Sequence, residues 1–352
     1  MDSSSLTDRI PAAKPAPPSQ AGVTLRVGIA GASGFAGQEL LRWLAGHPHA
    51  RVACAMSSSP DGPARTLPAL AKIWDGVIEP FSADRLAEQS EVVFLALPEE
   101  AAAAIAPVLV ERGVRVIDLS GAFRLRDAGA REKWYPATNL GTLTPVYGLT
   151  ERNYDAIAGA RLITNPGCYP TAALLALEPL AAAGLLAGEI VIDAKSGVSG
   201  AGKKPSDRTH FSENHGSVSA YGVFGHRHQP EIEQELGSPV TFVPHLVPLD
   251  RGILETIYAR VRPGTTAPQV AEVMQAAYKD APFVRLTGDM LPEIKHAAYT
   301  NFCDIGWRVD ASSARILLVS VIDNLVKGAA GQAIQNLNVM LGYDERKGLL
   351  PL

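Results

Sequence analysis

The sequence predicts an α/β protein with two domains, a Rossmann-type, doubly wound parallel sheet followed by an α+β domain with a large mixed sheet. Three observations predict this fold class. Up to about residue 165, short apolar strands alternate with helical stretches, as in parallel sheets. A glycine-rich loop separates the first strand from the first helix. Beyond that point the strands are longer, rich in β-branched residues and separated by few helices.

The expected elements follow in order along the chain. In the first domain we expect a helix through Glu39–Leu44 and strands at Leu25–Ala30, Arg51–Met56, Glu91–Leu97 and Val114–Leu119. In the second domain we expect helices at Tyr169–Ala183 and Pro268–Lys279, and strands at Ile190–Ala194, Val240–Val243, Ile253–Val261 and Arg315–Ile322. A last helical pattern, Val326–Leu341, is expected to pack back on the first domain.

The expected domain limits are 23–166 for the first domain, completed by the C-terminal helical segment 325–352, and 167–324 for the second. Residues 1–22 are rich in Ser, Pro and Ala and lack the apolar core of a secretory signal. We therefore expect this leader to be disordered and without a catalytic role.

Composition excludes several classes of function. The net charge of −4 gives no basic excess for nucleic-acid binding, and no apolar run reaches the roughly 18–20 residues of a membrane span. The three cysteines, Cys54, Cys168 and Cys303, are widely spaced without a CxxC pair. This pattern argues against a disulfide framework or a zinc knuckle and favours a reducing compartment.

The loop Gly31-Ala32-Ser33-Gly34-Phe35-Ala36-Gly37 has the spacing GxxGxxG between a strand and a helix. Glycines there allow the backbone to approach a pyrophosphate, and the helix N-terminus offers free N–H groups. We expect Gly31, Ser33, Gly34, Phe35, Ala36 and Gly37 to contact a dinucleotide. The alternative is a plain glycine turn.

The end of the second strand, Met56-Ser57-Ser58-Ser59, indicates which dinucleotide binds. NAD sites usually carry an acidic residue there, whereas this stretch has only hydroxyls, which tolerate a 2′-phosphate. Ser57 and Ser59 therefore favour NADP, unless they are ordinary loop residues. Pro98, which closes the third strand, is a further candidate cofactor contact.

The stretch Asn165-Pro166-Gly167-Cys168-Tyr169-Pro170 carries the candidate nucleophile. Pro170 suits the first turn of a helix, which places Cys168 at the helix N-terminus. The helix dipole and free N–H groups are expected to lower the pKa of the Cys168 thiol and favour the nucleophilic thiolate. The alternative is a small buried hydrophobe, which we expect for Cys54 and Cys303.

His226 and His228 flank an arginine just before a predicted helix. Either imidazole could move protons during thiohemiacetal formation and collapse. Their spacing could also suggest a metal pair, but no further ligand cluster completes one, so no metal is expected.

Three more polar segments are candidate ligand contacts. The Gly/Ser-rich stretch Lys195–Lys204 could line the nicotinamide through Ser196 and Gly197 and hold a phosphate through Ser199 and Lys203. Arg124 and Arg251 are rival candidates for binding a substrate carboxylate, because a guanidinium forks onto a carboxylate. The alternatives are a solvated loop and surface salt bridges.

Together these motifs resemble the N-acetyl-gamma-glutamyl-phosphate reductase family, from Val27 to the C-terminus. NPGCYPTA (165–172) and HRHQPEI (226–232) carry the resemblance together with GASGFAG (31–37), SGVSGAGK (196–203), RGILET (251–256) and DNLVKGAAGQAIQN (323–336). The glycine loop and the last stretch are shared with aspartate-semialdehyde dehydrogenases. The stretch at Arg124 departs from the family, because Ala122 stands where an Asp is often found.

The resemblance implies NADP-dependent reduction of N-acetyl-glutamyl 5-phosphate to the 5-semialdehyde through a cysteine thioester, with release of inorganic phosphate, in arginine biosynthesis. It also implies a cytoplasmic homo-oligomer. The nucleophile falls on Cys168, the acid/base histidine on His228 in preference to His226, and nicotinamide contacts on Asn324, near Gly328. Three alternatives are an aspartyl-phosphate enzyme, a cofactor-free cysteine acyltransferase or hydrolase, and a nucleotide-sensing regulator.

Overall fold

The structure is a computed structural model that describes residues 24–135, 138, 141 and 143–350. The expected leader, 1–22, lies outside the described residues. The chain forms two seven-stranded sheets, one built before residue 165 and one after residue 185.

The first sheet is parallel throughout, with strand order β3-β2-β1-β4-β5-β7-β6. Val27, Ile29 and Phe94 are fully buried, and these strands show no regular alternation of apolar and polar residues, as expected for a sheet covered on both faces. The strand order changes direction between β1 and β4, where ligands bind in doubly wound sheets. The strands are β1 Leu25–Ala30, β2 Ala50–Met56, β3 Ile78–Glu79, β4 Val92–Leu95, β5 Arg115–Asp118, β6 Val146–Tyr147 and β7 Leu162–Thr164.

Helices cover this sheet and connect its strands. Ser82 and Asp127 cap two of these helices through side-chain oxygens that accept backbone N–H bonds. The helices are α1 Phe35–Leu44, α2 Ala83–Gln89, α3 Glu99–Glu111, α4 Ala128–Trp134 and α5 Thr150–Ile157.

The second sheet is mixed, with strand order β12-β13-β14-β11-β8-β10-β9. β8 pairs with β10 in parallel and with β11 antiparallel. β11 pairs with β8 from Leu186 onward and β10 pairs with it from Val191 to Gly197, so β8 extends well beyond the predicted Ile190–Ala194. The strands are β8 Leu186–Gly197, β9 Ser219–Ala220, β10 Thr241–Val247, β11 Ile253–Val261, β12 Val284–Gly288, β13 Cys303–Asp310 and β14 Arg315–Ile322.

One face of this sheet packs against α6, Cys168–Ala182, which is apolar on nearly every side. In β11, the side chains of Ile253, Ile257 and Val261 point toward α6 and alternate with more exposed residues, so the strand has one apolar face for the helix to cover. The remaining helices of this domain are α7 Phe211–Asn214, α8 His228–Leu236, α9 Ala267–Tyr278 and α10 Ile294–Ala297.

The C-terminal segment returns to the first sheet. A π-helical turn, Val326–Ala330, leads into α11, Gly331–Met340, whose residues are all buried. Ala333, Ile334 and Leu337 join the core that also contains β1 and α1. The predicted fold class, a doubly wound parallel sheet plus a large mixed sheet, is therefore confirmed.

Candidate active site

Only glycine fits at two positions of the glycine loop. Gly31 has φ +83°, and a Cβ there would lie 2.1 Å from the carbonyl oxygen of Ala96. A Cβ on Gly37 would lie 2.3 Å from the carbonyl oxygen of Gly31. Gly34 precedes α1, so the helix N-terminus faces the change in strand order between β1 and β4. This close backbone and free helix end fit a dinucleotide pyrophosphate.

Lys203 reaches the glycine loop from the second domain. Its Nζ donates a hydrogen bond of 3.2 Å to the carbonyl oxygen of Ser33 and lies 6.0 Å from the centre of the Phe35 ring. Ser33, Phe35 and Ala36 are partly exposed. A cavity of about 370 Å³ lies between the loop and the second domain, lined in part by Phe35, Ser199, Lys203, Arg251 and Leu325.

The end of β2 is a tight hydroxyl-rich turn. The Ser57 hydroxyl donates to the carbonyl oxygen of Ser59, and the Ser59 hydroxyl accepts from the backbone of Asp61. Glu79, which lies opposite Met56 across the sheet, is paired with Arg85. Pro98 is exposed at the start of α3. The candidate cofactor contacts thus lie at the ends of β1, β2 and β4.

Ser199 lines this cavity, whereas Ser196, Gly197 and Asn324 are buried. The Asn324 side chain is buried and donates to the Ser199 hydroxyl at 2.9 Å, while its oxygen accepts the N–H of Gly252 at 2.7 Å. Asn324 therefore joins the loop after β8 to the loop before β11. A Cβ on Gly197 would lie 2.7 Å from the backbone nitrogen of Arg251, so the two loops are in direct contact.

Cys168 is the first residue of α6 and is partly exposed. The π-helical turn brings Gly328 against it: a Cβ on Gly328 would lie 2.7 Å from the Cβ of Cys168. Cys54 and Cys303 are buried, as expected for packing residues.

The expected lowering of the Cys168 pKa is wrong for this structure. Loss of solvent raises the pKa of the thiol to about 11, and the nearby carboxyls of Glu255 and Glu231 act in the same direction. Arg124 and the N–H of Tyr169 favour the thiolate, but their effect is smaller. The helix terminus alone therefore does not ionise the thiol, and a proton acceptor is needed.

His228 lies against the turn that carries the nucleophile. A Cβ on Gly167 would lie 2.6 Å from its Nε2, and the Nδ1 of His228 is buried without a hydrogen-bond partner. Burial, followed by the neighbouring His226, Arg124 and Arg227, holds the pKa of His228 well below its usual range. A neutral imidazole against Gly167, the residue before Cys168, is placed to accept a proton from the thiol.

His226 makes a different contact. Its Nδ1 accepts the backbone N–H of His228 at 3.1 Å, at the start of α8. Burial and then Arg227 lower its pKa to about 4. Its ring stacks edge-to-face with the rings of Tyr169 and Tyr221. These contacts make His226 a support for the helix that carries His228.

Arg124 binds inside the protein instead of projecting into the cavity. It is buried, its Nη1 lies 3.4 Å from a carboxylate oxygen of Glu231 and 3.4 Å from Nε2 of His228, and its other nitrogens donate to the carbonyl oxygens of Asn165 and Leu119. The carboxylate that pairs with it comes from Glu231, since Ala122 supplies none. The structure thus gives Arg124 internal partners, and its contact with a substrate carboxylate stays a prediction.

Glu231 and Tyr147 are site residues that sequence reasoning missed. The Glu231 carboxylate accepts the N–H of Gly167 at 2.8 Å and the Tyr147 hydroxyl at 2.8 Å, and it is fully buried. It thus holds the residue before Cys168. The available signal was a carboxylate three residues after His228, on the same face of α8.

Arg251 is also engaged internally. Its guanidinium donates to Glu39 of α1 at 2.9 Å and to Asp323 at 3.3 Å. Arg251 also lines the cavity beside Ser199 and Lys203, so its contact with a substrate carboxylate stays a prediction.

Glu255 of β11 is a buried carboxyl, and neither of its oxygens has a hydrogen-bond partner among the residues that the structure describes. It faces α6 between Ala194 and Ser320, and burial raises its pKa well above the usual range. The Glu255 carboxyl ionises above about pH 4.3 in the unfolded chain but keeps its proton in the folded state. The folded state therefore becomes less stable relative to the unfolded state as the pH rises from about 4.3 toward the folded-state pKa of Glu255.

We expect Glu255→Gln to stabilise the protein by about 1–3 kcal/mol at pH 8 and by less at pH 5, because the amide removes the ionisation at the same volume. Thermal unfolding of both proteins at the two pH values measures this difference. A gap that does not widen with pH would show that Glu255 is ionised in the folded protein.

In residues 24–135, 138, 141 and 143–350 no group of three or more His, Cys, Asp or Glu side chains could hold a metal ion. Within the same ranges no helix is long and apolar enough to cross a membrane.

Known proteins match both halves of the chain. A family model described as "Semialdehyde dehydrogenase, NAD binding domain" matches residues 26–160, and one described as "Semialdehyde dehydrogenase, dimerisation domain" matches residues 168–324. An aspartate semialdehyde dehydrogenase II from Vibrio cholerae has a TM-score of 0.70 at 21% identity, over 90% of this chain and 98% of that one. At this identity the likeness shows the fold alone.

Curated relatives are much more similar in sequence. The N-acetyl-gamma-glutamyl-phosphate reductase of Brevibacillus brevis is 47% identical over 338 residues, which cover 92% of this chain and 98% of that protein. The reductase of Geobacillus stearothermophilus is 45% identical, over 93% of this chain and 99% of that protein. The chain therefore belongs to the N-acetyl-gamma-glutamyl-phosphate reductase family.

Proposed function

We propose that this protein reduces N-acetyl-glutamyl 5-phosphate to N-acetyl-glutamate 5-semialdehyde with NADPH, as a step of arginine biosynthesis. One observation carries the proposal: Cys168 starts α6, with the neutral His228 against the preceding Gly167. The names of the curated relatives supply the substrate.

Cys168 is the nucleophile in this proposal. His228 accepts the thiol proton, and the thiolate attacks the acyl carbon. The bond from that carbon to the phosphate oxygen breaks, and inorganic phosphate leaves a thioester on Cys168. Because burial keeps the thiol protonated, proton transfer to His228 coincides with the approach of the acyl phosphate.

NADPH, when bound, supplies the hydride that reduces the thioester. The backbone N–H of Cys168, at the start of α6, stabilises the oxyanion that develops. His228 then returns its proton as the thiohemiacetal collapses, the carbon–sulfur bond breaks and the thiol of Cys168 is restored. Arg124 and Glu231 are positioning residues, because they contact His228 and Gly167 respectively.

The chain's own residues fit a dinucleotide phosphate. Gly31, Gly34 and Gly37, with Ser33, Phe35 and Ala36, would hold the pyrophosphate at the start of α1. Ser57 and Ser59 would take the 2′-phosphate, since Glu79 is neutralised by Arg85. Ser196, Gly197 and Asn324 would lie by the nicotinamide, with Pro98 on the opposite side. Ser199 and Lys203 are the proposed contacts of the substrate phosphate.

We also propose a division of the chain into two domains, one of residues 23–166 with 325–352 and one of residues 167–324. The contacts of α11 with the core of the first sheet support it. We also propose that the protein is a cytoplasmic homo-oligomer, which the description of the matched dimerisation domain supports.

The reverse reaction tests the proposed activity. Purified protein is mixed with NADP, phosphate and N-acetyl-glutamate semialdehyde, and NADPH formation is followed by its absorbance. Parallel reactions contain aspartate semialdehyde, or NAD in place of NADP. We expect phosphate-dependent NADPH formation with the acetylated aldehyde, at least about tenfold faster with NADP than with NAD, which corresponds to about 1.4 kcal/mol from the 2′-phosphate contacts.

Each other outcome contradicts part of the proposal. Turnover with aspartate semialdehyde alone would retain the chemistry and replace the substrate. Equal rates with NAD would remove the role of Ser57 and Ser59. No turnover with either aldehyde, while NADP still binds, would favour a nucleotide-sensing protein.

A further inference from the structure

Arg251 lies where the two domains meet. Its side chain reaches from the loop between β10 and β11 to Glu39, in the second turn of α1, and to Asp323, directly after β14. All three side chains are nearly removed from water, with exposed fractions of 12% for Arg251, 9% for Glu39 and 0% for Asp323. In such surroundings an ion pair is screened less by solvent than on the surface.

Glu39 and Asp323 belong to elements that form different parts of the site. Glu39 is on the helix whose N-terminus forms the glycine loop. Asp323 accepts the N–H groups of Leu325 and Val326, and so caps the π-helical turn that places Gly328 against Cys168. One guanidinium thus joins the cofactor-binding helix to the turn beside the nucleophile.

Other contacts hold Arg251 itself in place. Its guanidinium lies 4.5 Å from the centre of the Tyr299 ring, and the N–H of Tyr299 donates to Asp323 at 2.7 Å. Its backbone packs directly on Gly197, and the neighbouring Gly252 accepts the N–H of Gly197 at 2.9 Å. The planar fork of a stacked guanidinium fixes the direction of both ion pairs more closely than a lysine would.

We propose that Arg251 is a positioning residue that holds α1 and its glycine loop at a fixed place relative to Cys168, through Glu39 and Asp323. This proposal rests on the proposed function, because the distance that it sets is the one between the bound nicotinamide and the thioester. Hydride transfer depends steeply on this distance, and a misplacement of about 1 Å can cost about 100-fold in rate.

The test compares Arg251→Met, Glu39→Gln and the double variant with a matched control, Arg285→Met. Arg285 also pairs with a buried carboxylate, Asp304, at 2.6 Å and lies over an aromatic ring, that of Phe302, at 4.2 Å. Arg285 is more exposed than Arg251, at 41% against 12%, and it joins β12 to β13 within one sheet. Its loss therefore removes an ion pair to a buried carboxylate without affecting the contact between the domains.

For the reverse reaction we expect kcat to fall about 10- to 100-fold in Arg251→Met and in Glu39→Gln, with Kd for NADP within about threefold of wild type. The double variant is expected to be no slower than the slower single variant, because each single variant already breaks the ion pair between Arg251 and Glu39. The isotope effect with the aldehyde deuterated at its reacting carbon should rise, because hydride transfer becomes limiting. Arg251→Lys should recover part of kcat, and Arg285→Met should leave kcat unchanged.

A second readout does not depend on turnover. Alkylation of Cys168 by iodoacetamide is measured with and without NADP, and we expect NADP to slow it at least about threefold more in wild type and Arg285→Met than in Arg251→Met. An unchanged kcat and unchanged protection in Arg251→Met would overturn the proposal. So would equal losses in Arg251→Met and Arg285→Met, which would indicate general destabilisation. If wild type shows no turnover, the proposed function fails, and the protection experiment alone decides the role of Arg251.

Discussion

Replacing Cys168 with alanine is expected to lower kcat by at least about 10⁴-fold, because no other group can form the thioester. Kd for NADPH should stay within about threefold of wild type, since the glycine loop and the ends of β2 and β4 do not contact the thiol. Steady-state kinetics and NADPH fluorescence titration measure the two quantities.

Cys303→Ala is the matched control for this variant. Cys303 is fully buried in β13, where its sulfur lies 3.5 Å from the Ser320 hydroxyl, so its removal should affect stability and leave kcat unchanged. Substantial turnover by Cys168→Ala would contradict the thioester route and leave direct hydride transfer to the acyl phosphate.

Replacing His228 with glutamine is expected to have the second-largest effect, a fall in kcat of about 10²- to 10⁴-fold. The amide fills the same space near Gly167 and Arg124 but cannot take the Cys168 proton. Because burial and nearby cations lower the pKa of His228, the neutral base persists in acid: the acidic limb of the wild-type profile of kcat against pH should lie below about pH 6.5.

His226→Gln separates the two histidines. An amide oxygen can still accept the N–H of His228, so we expect kcat to fall less than about tenfold. The acidic limb should move to a higher pH, because His226 contributes to the lowered pKa of His228. A larger loss in His226→Gln than in His228→Gln would reverse the assignment of the acid/base residue.

Local features of the site could be predicted from the sequence. The glycine loop follows from backbone sterics, since the positive φ of Gly31 and the close approach of Gly37 to it involve few residues. The position of Cys168 at a helix start follows from the Pro170 that comes after it. Both depend on short stretches of chain, where residue type limits the backbone directly.

The ion pairs that hold the site could not be predicted this way. Arg124 meets Glu231 over a separation of 107 residues, and Arg251 meets Glu39 over 212. Nothing local to Arg124 or Arg251 indicates which carboxylate of the protein each will meet, so neither ion pair was expected. The raised pKa of Cys168 has the same origin: it depends on burial and on Glu255 and Glu231, which come from other elements.

The proposed reaction passes through a covalent bond between the acyl group and Cys168. A burst of NADPH formation in the absence of phosphate tests this bond most directly. Protein at high concentration is mixed with NADP and N-acetyl-glutamate semialdehyde in the absence of phosphate. The thiol should add to the aldehyde, the hydride should pass to NADP, and the thioester should remain on Cys168 because no phosphate is present to release it. We predict one NADPH per active site, a matching mass increase on the peptide that contains Cys168, and continued turnover on addition of phosphate. NADPH formation that requires phosphate from the first turnover, with no modified Cys168, would contradict the account.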